Sequence, residues 1–160
     1  SPCAWVAKSL DEALFLAEKS AIVTHNHPEG VKGAQAVAAA IWMARNGSTK
    51  EEIKAYIEST FEYNLSRTIK EIKESGYDFD STCQGSVPES IIAFLEGNDY
   101  EEVIRLAIYL GGDADTQAAI AGSIAEAYYD MPAKCVIDAK RHLSDDLLAI
   151  INKFNQMYHE

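Results

Sequence analysis

Apolar positions recur every three or four residues along most of the chain, the period of helices packed on a core. Val31, Ala34, Ala38, Ile41 and Trp42 make one such stripe after Pro28-Glu29, and Asn46-Gly47 ends it. Polar punctuation marks the other starts and stops. Ser9-Leu-Asp-Glu12 reads as a capping box opening a helix through about Ala21, and Ser48-Thr-Lys-Glu51 opens another to about Thr60. Ser66 begins a short charged helix that stops at Gly76. Ser86-Val-Pro-Glu89 reads as the strongest start: a Ser cap, Pro in the first turn and Glu three after the cap, with the helix stopped by Gly97. Asp99 begins a helix ending at Gly111-Gly112, and Asp113 or Asp115 caps the next, "DTQAAIAGSIAEAYY". Pro132 and Ser144 introduce two more, the last running through Phe154. No stretch shows period-two alternation between hairpin turns. The pattern predicts an all-α fold, one compact multi-helix bundle over residues 1–160, with Tyr77 to Gly85 as its longest loop.

Composition narrows the class. At 160 residues and 48% hydrophobic content, there is material for one core. The net charge of −11 argues against a nucleic-acid partner or an anionic membrane surface. No apolar run approaches the roughly 20 residues of a membrane span, and no signal peptide is visible. The three cysteines, Cys3, Cys83 and Cys135, fit no CxxC pattern and read as reduced thiols of a cytoplasmic protein.

Three stretches can carry chemistry. In "LGGDADTQAAIAGSIAEAYY", Asp113, Asp115 and Thr116 offer hard oxygens that suit Mg²⁺, Mn²⁺ or Ca²⁺. Helix capping alone also accounts for the pattern, and both readings stand. Ala118, Ala119, Ala121, Gly122 and Ala125 strip one side of that helix of bulk, which predicts a central helix that another backbone approaches closely. In "THNHPEGVKGAQA", His25 and His27 flank Asn26 ahead of a helix start, where free amides suit phosphate. Zinc would need more ligands there, and only His142, His159 and scattered cysteines are available. In "STCQGSVPESIIAFLE", Gln84 and Gly85 precede the expected cap; capping accounts for them, and binding of a polar ligand by Gln84 is the alternative. There is no P-loop, GxGxxG, GxSxG or HExxH motif.

Taken in order, "VTHNHPEGVKGAQAVAAAIWMAR", "CQGSVPESIIAFLE" and "AIYLGGDADTQAAIAGSIAEAYY" resemble the ADP-ribosylglycohydrolase family, over Ser1 to about Pro132. The resemblance implies an all-α domain with a dinuclear Mg²⁺ or Mn²⁺ centre. It assigns Asp113, Asp115 and Thr116 to the metals, and His25 and His27 to the ADP-ribose pocket. It implies hydrolysis of the glycosidic bond between ADP-ribose and a protein side chain, or a related ADP-ribosyl compound. The alternative it leaves open is a non-catalytic ADP-ribose or nucleotide-binding protein, or a structural one of the crystallin J1 kind.

The family's Thr-Asp-Asp metal motif and its GNGxxMR phosphate loop precede the matching stretch, and neither occurs in this sequence. Half of the metal ligands and the catalytic acid or base are therefore expected from elsewhere: a preceding segment, since the chain starts at Ser1-Pro2, or a second subunit. Asp78 and Asp80 form a D-x-D outside the family's context and do not substitute for them.

Overall fold

The computed structural model describes residues 1–158 and divides into two compact units, Ser1–Tyr129 and Asp130–Glu160. His159 lies outside the described residues. The first unit holds α1 (Pro2–Val6), α2 (Leu10–Ile22), α3 (Pro28–Arg45), α4 (Lys50–Phe61), α5 (Ile69–Glu74), α6 (Cys83–Glu96), α7 (Tyr100–Leu110) and α8 (Ala114–Tyr128). The second holds α9 (Ala133–Lys140) and α10 (Asp145–Tyr158), with no buried residue on either helix. The described residues contain no strand, and no helix among them is long and apolar enough to cross a membrane. The all-α expectation holds.

In the first unit, α3, α6 and α8 pack against one another, α2 lies on α3, and α7 lies against α6 and α8. Ile41, Ile53, Ile57, Ile91, Phe94, Leu110 and Ile124 are fully buried between them. Each such side chain contributes about 1.5–3 kcal/mol of burial. The small-residue face of α8 admits α7: a Cβ on Gly122 would lie 2.8 Å from the Ile104 terminal methyl. The close neighbour expected there is thus a side chain, not a backbone. Gly33 of α3 plays a similar part, since a Cβ there would meet Cys83 at 3.1 Å and Val87 at 3.3 Å.

Several starts differ from the expected ones. The cap of α4 is Thr49 with Glu52, one residue beyond the predicted pair, and that of α5 is Thr68 with Glu71. The larger correction is at α6. Its cap is Thr82, whose hydroxyl accepts from the Gly85 amide, so Ser86 lies one turn inside the helix. The Ser86 hydroxyl instead donates back to the Thr82 carbonyl at 2.7 Å. Glu89 is not a box partner but a buried acid, 3% exposed, paired with Arg67 Nη2 at 2.6 Å. α1, at five residues, is too short to carry a periodic signal in the sequence.

Candidate functional site

The turn into α8 is built on two glycines with positive φ, Gly111 at 82° and Gly112 at 65°. Gly112 is pressed on its neighbours: a Cβ would meet the Tyr77 ring at 3.1 Å and the Asp78 carbonyl at 3.3 Å. The next residue, Asp113, is the N-cap of α8, yet its side chain makes no capping hydrogen bond. Ser9, His27, Thr49, Thr68, Thr82 and Asp99, at the starts of other helices, all make one. Capping therefore does not account for Asp113. Asp115 is held below the usual carboxylate range, first by the neighbouring Asp113 side chain and then by the backbone amides of Thr116 and of Asp115 itself. The Thr116 amide donates to Asp115 Oδ1 at 3.0 Å. Asp115 and Thr116 are exposed and Asp113 is half-buried. Two carboxylates and a hydroxyl thus sit together on one accessible turn.

A buried polar relay lies beneath that turn. The Tyr77 hydroxyl donates to the Gly85 carbonyl in the first turn of α6, at 2.7 Å, and accepts from Gln117 Nε2 at 2.6 Å. Burial pushes the Tyr77 phenol up to about 12, with further help from Glu89, Asp80 and Asp113. Gln117 is fully buried. Neither residue stands out in the sequence, although a Gln on the small, inward face of a helix is the signal that marks this one. Asp80 accepts from the Thr82 amide at 2.8 Å, and its carboxylate fills the space of a Cβ on Gly85. It therefore braces the start of α6.

His25 and His27 come together in a cleft of about 780 Å³ between α2, α3 and the start of α6, with Cys3, Cys83 and Gln84 among its other walls. Gln84 is thus a cleft residue inside α6, not a residue ahead of its cap. His27 Nδ1 accepts from the Glu29 amide at 3.2 Å, so the neutral ring carries its proton on Nε2. His25 Nδ1 is hydrogen-bonded with Thr24 Oγ1 at 2.9 Å. Asp113, Asp115 and Thr116 do not line this cleft; Ile120, one turn further along α8, does. The two groups are linked through α6, which meets Gly33 on one side and the Tyr77–Gln117 relay on the other. Within two turns of their starts, α3, α6 and α8 therefore converge.

Among the described residues, no three His, Cys, Asp or Glu side chains are grouped to hold a metal. The Asp113, Asp115 and Thr116 oxygens suit a hard divalent ion, and they fit as part of a donor set.

A family model described as ADP-ribosylglycohydrolase matches residues 1–158. The ADP-ribosylarginine hydrolase Tri1 of Pseudomonas putida (strain GB-1) is 34% identical over 117 residues, which is 67% of this chain and 30% of that protein. The hydrolase of the same name from Serratia proteamaculans (strain 568) is 27% identical over 132 residues, 76% of this chain and 34% of that one. A solved structure described as an ADP-ribosylglycohydrolase-related protein complex superposes with a TM-score of 0.64 at 27% identity, covering 82% of this chain and 49% of the other. The chain thus spans about a third of the two hydrolases and half of the solved chain. Over that span the all-helical fold and the family model agree, and the chain belongs to the ADP-ribosylglycohydrolase family.

Proposed function

We propose that this chain supplies part of the site of a metal-dependent hydrolase. The reaction is cleavage of the glycosidic bond between ADP-ribose and a protein side chain or a related compound. The carrying observation is Asp113: a helix-capping aspartate that does not cap, paired with the accessible Asp115. Two adjacent carboxylates repel each other unless a proton or a cation lies between them.

Asp113, Asp115 and the Thr116 hydroxyl would hold Mg²⁺ or Mn²⁺. The ion, when bound, supplies Lewis-acid polarisation and a template for ribose hydroxyls and water. The remaining ligands and the acid or base would come from outside this chain, whose match covers about a third of the two hydrolases. Each histidine has Nδ1 engaged locally, which leaves Nε2 as the ring nitrogen for an ADP-ribose oxygen. The His27 ring is preset as a donor there. The converging starts of α3, α6 and α8 add positive potential suited to a diphosphate. The arginine linkage is the first to test, because the two named relatives are ADP-ribosylarginine hydrolases.

The test is Mn²⁺ titration of the chain followed by electron paramagnetic resonance. The free-ion signal should fall with the unsubstituted chain and persist with D115N, a substitution on an exposed turn. Equal binding by both would overturn the reading. The chain alone should release no ADP-ribose from an ADP-ribosylarginine peptide, and Mg²⁺-dependent release by it would refute the view that half the site lies elsewhere.

A further inference from the structure

Gln117 occupies the fourth position of α8, and its backbone amide donates to the Asp113 carbonyl at 2.9 Å. Residues four apart share a helix face, and side chains lean toward the N-terminus. The Gln117 side chain therefore extends back under the Asp113 turn. It is 0% exposed, and its Oε1 is buried with no hydrogen-bond partner in the protein.

The orientation of this amide is fixed by its neighbours. The Tyr77 phenol has one proton, and it goes to the Gly85 carbonyl at 2.7 Å. Toward Gln117 the phenol oxygen can then only accept, so the amide must present Nε2 there, at 2.6 Å. Oε1 is thereby turned away from Tyr77. A buried amide oxygen without a donor costs about 1–3 kcal/mol. The sequence accepts that cost in the first turns of α8, whose N-cap aspartate also makes no side-chain capping bond.

We propose that Gln117 is a positioning residue of the cation site, its Oε1 accepting a hydrogen bond from a water bound to the ion at Asp113 and Asp115. Tyr77 is the second element of the device, because it decides which end of the amide meets that water. The inference rests on the metal reading given above. Outer partners of this kind are worth 10–100-fold in metal affinity at other sites.

The experiment compares Mn²⁺ dissociation constants for the full chain and for Q117M, Q117E, Y77F and D115N, with the melting temperature of each. Q117M keeps the shape and loses the acceptor, and should weaken Mn²⁺ binding about tenfold. Q117E keeps an acceptor and should bind more tightly than Q117M. Y77F keeps Gln117 but frees the amide to turn, and should weaken binding by a smaller factor. A Q117M affinity equal to that of the unsubstituted chain would overturn the proposal. If Q117M does not fold, unchanged affinity in the folded Y77F would overturn it instead. Failure of D115N to lose Mn²⁺ overturns the metal reading itself; loss in D115N with no change in Q117M or Y77F overturns only the role of Gln117.

Discussion

Replacing Gly112 with Ala tests whether the turn beneath Asp113 is held by contact or only by backbone freedom. Its φ of 65° lies in the left-handed region, where a Cβ costs about 1–2 kcal/mol. Gly47 has a φ of 81° and nothing within 4 Å of a built Cβ, so G47A should lose about that much and no more. At Gly112 the same Cβ would press on the Tyr77 ring at 3.1 Å and the Asp78 carbonyl at 3.3 Å. The ring cannot easily retreat, because its hydroxyl is held by both Gly85 and Gln117. Overpacking of this kind adds about 1–3 kcal/mol. G112A should therefore be less stable than G47A by about 2 kcal/mol, a gap of roughly 4–8 °C in melting temperature for a chain of this size. Circular dichroism melts of the two variants measure it. The gap should shrink in a Y77F background, where the ring is released. Equal losses in G112A and G47A would refute the reasoning and leave the Tyr77 contact without a role in shaping the turn.

Arg67→Ala leaves Glu89, 3% exposed, without its guanidinium, and should cost about 3 kcal/mol in urea unfolding. That figure takes the low end of the range because the Arg67 side chain is 39% exposed; a negligible loss would mean that water reaches Glu89. Thr82→Ala removes the α6 cap and should cost about 1 kcal/mol, whereas Ser86→Ala, inside the helix, should be close to neutral; the reverse order would restore Ser86 as the cap. Tyr77 is raised from its ordinary 10 to about 12 on folding, so its contribution is complete below pH 10 and is lost as pH rises through 12. The stability gap between the unsubstituted chain and Y77F should narrow across that window, and a gap independent of pH would sink the assignment.

Local signals carried most of the fold and mislaid some of its joints. The Pro28 start and the Asp99 cap were legible because each needs only a short-range hydrogen bond or a fixed φ. Ser86-Val-Pro-Glu89 misled for the same reason: it satisfies every local rule for a helix start. What overrides it is tertiary: Cys83 and Val87, four apart on one helix face, both meet Gly33, and that needs helix on both sides of Ser86. The chemistry was legible where it sits in consecutive residues, as in Asp113 to Thr116. The Tyr77–Gln117 relay was not, because its members lie 40 residues apart and meet only once α8 packs on α6. His27 shows the intermediate case. Its place beside His25 was readable, but its use as the α3 cap depends on a ring nitrogen aimed at the Glu29 amide.

The charge of −11 runs against the proposed substrate, since ADP-ribose carries a diphosphate. The opposition is weaker than the total implies. Charges on the far surface are screened beyond about 8 Å at physiological salt. What a ligand meets is local: three helix starts converging on one side, each equivalent to roughly half a positive charge. Local negative charge lies at Glu29, in the first turn of α3, and at Asp113 and Asp115, where a divalent ion would balance it. On this reading the acidic pair and the anionic substrate are compatible only with the ion in place. Binding of ADP-ribose should then strengthen when Mn²⁺ is added and lose that gain in D115N, as calorimetric titration would measure. Affinity that ignores the ion would instead place recognition in the histidine cleft alone.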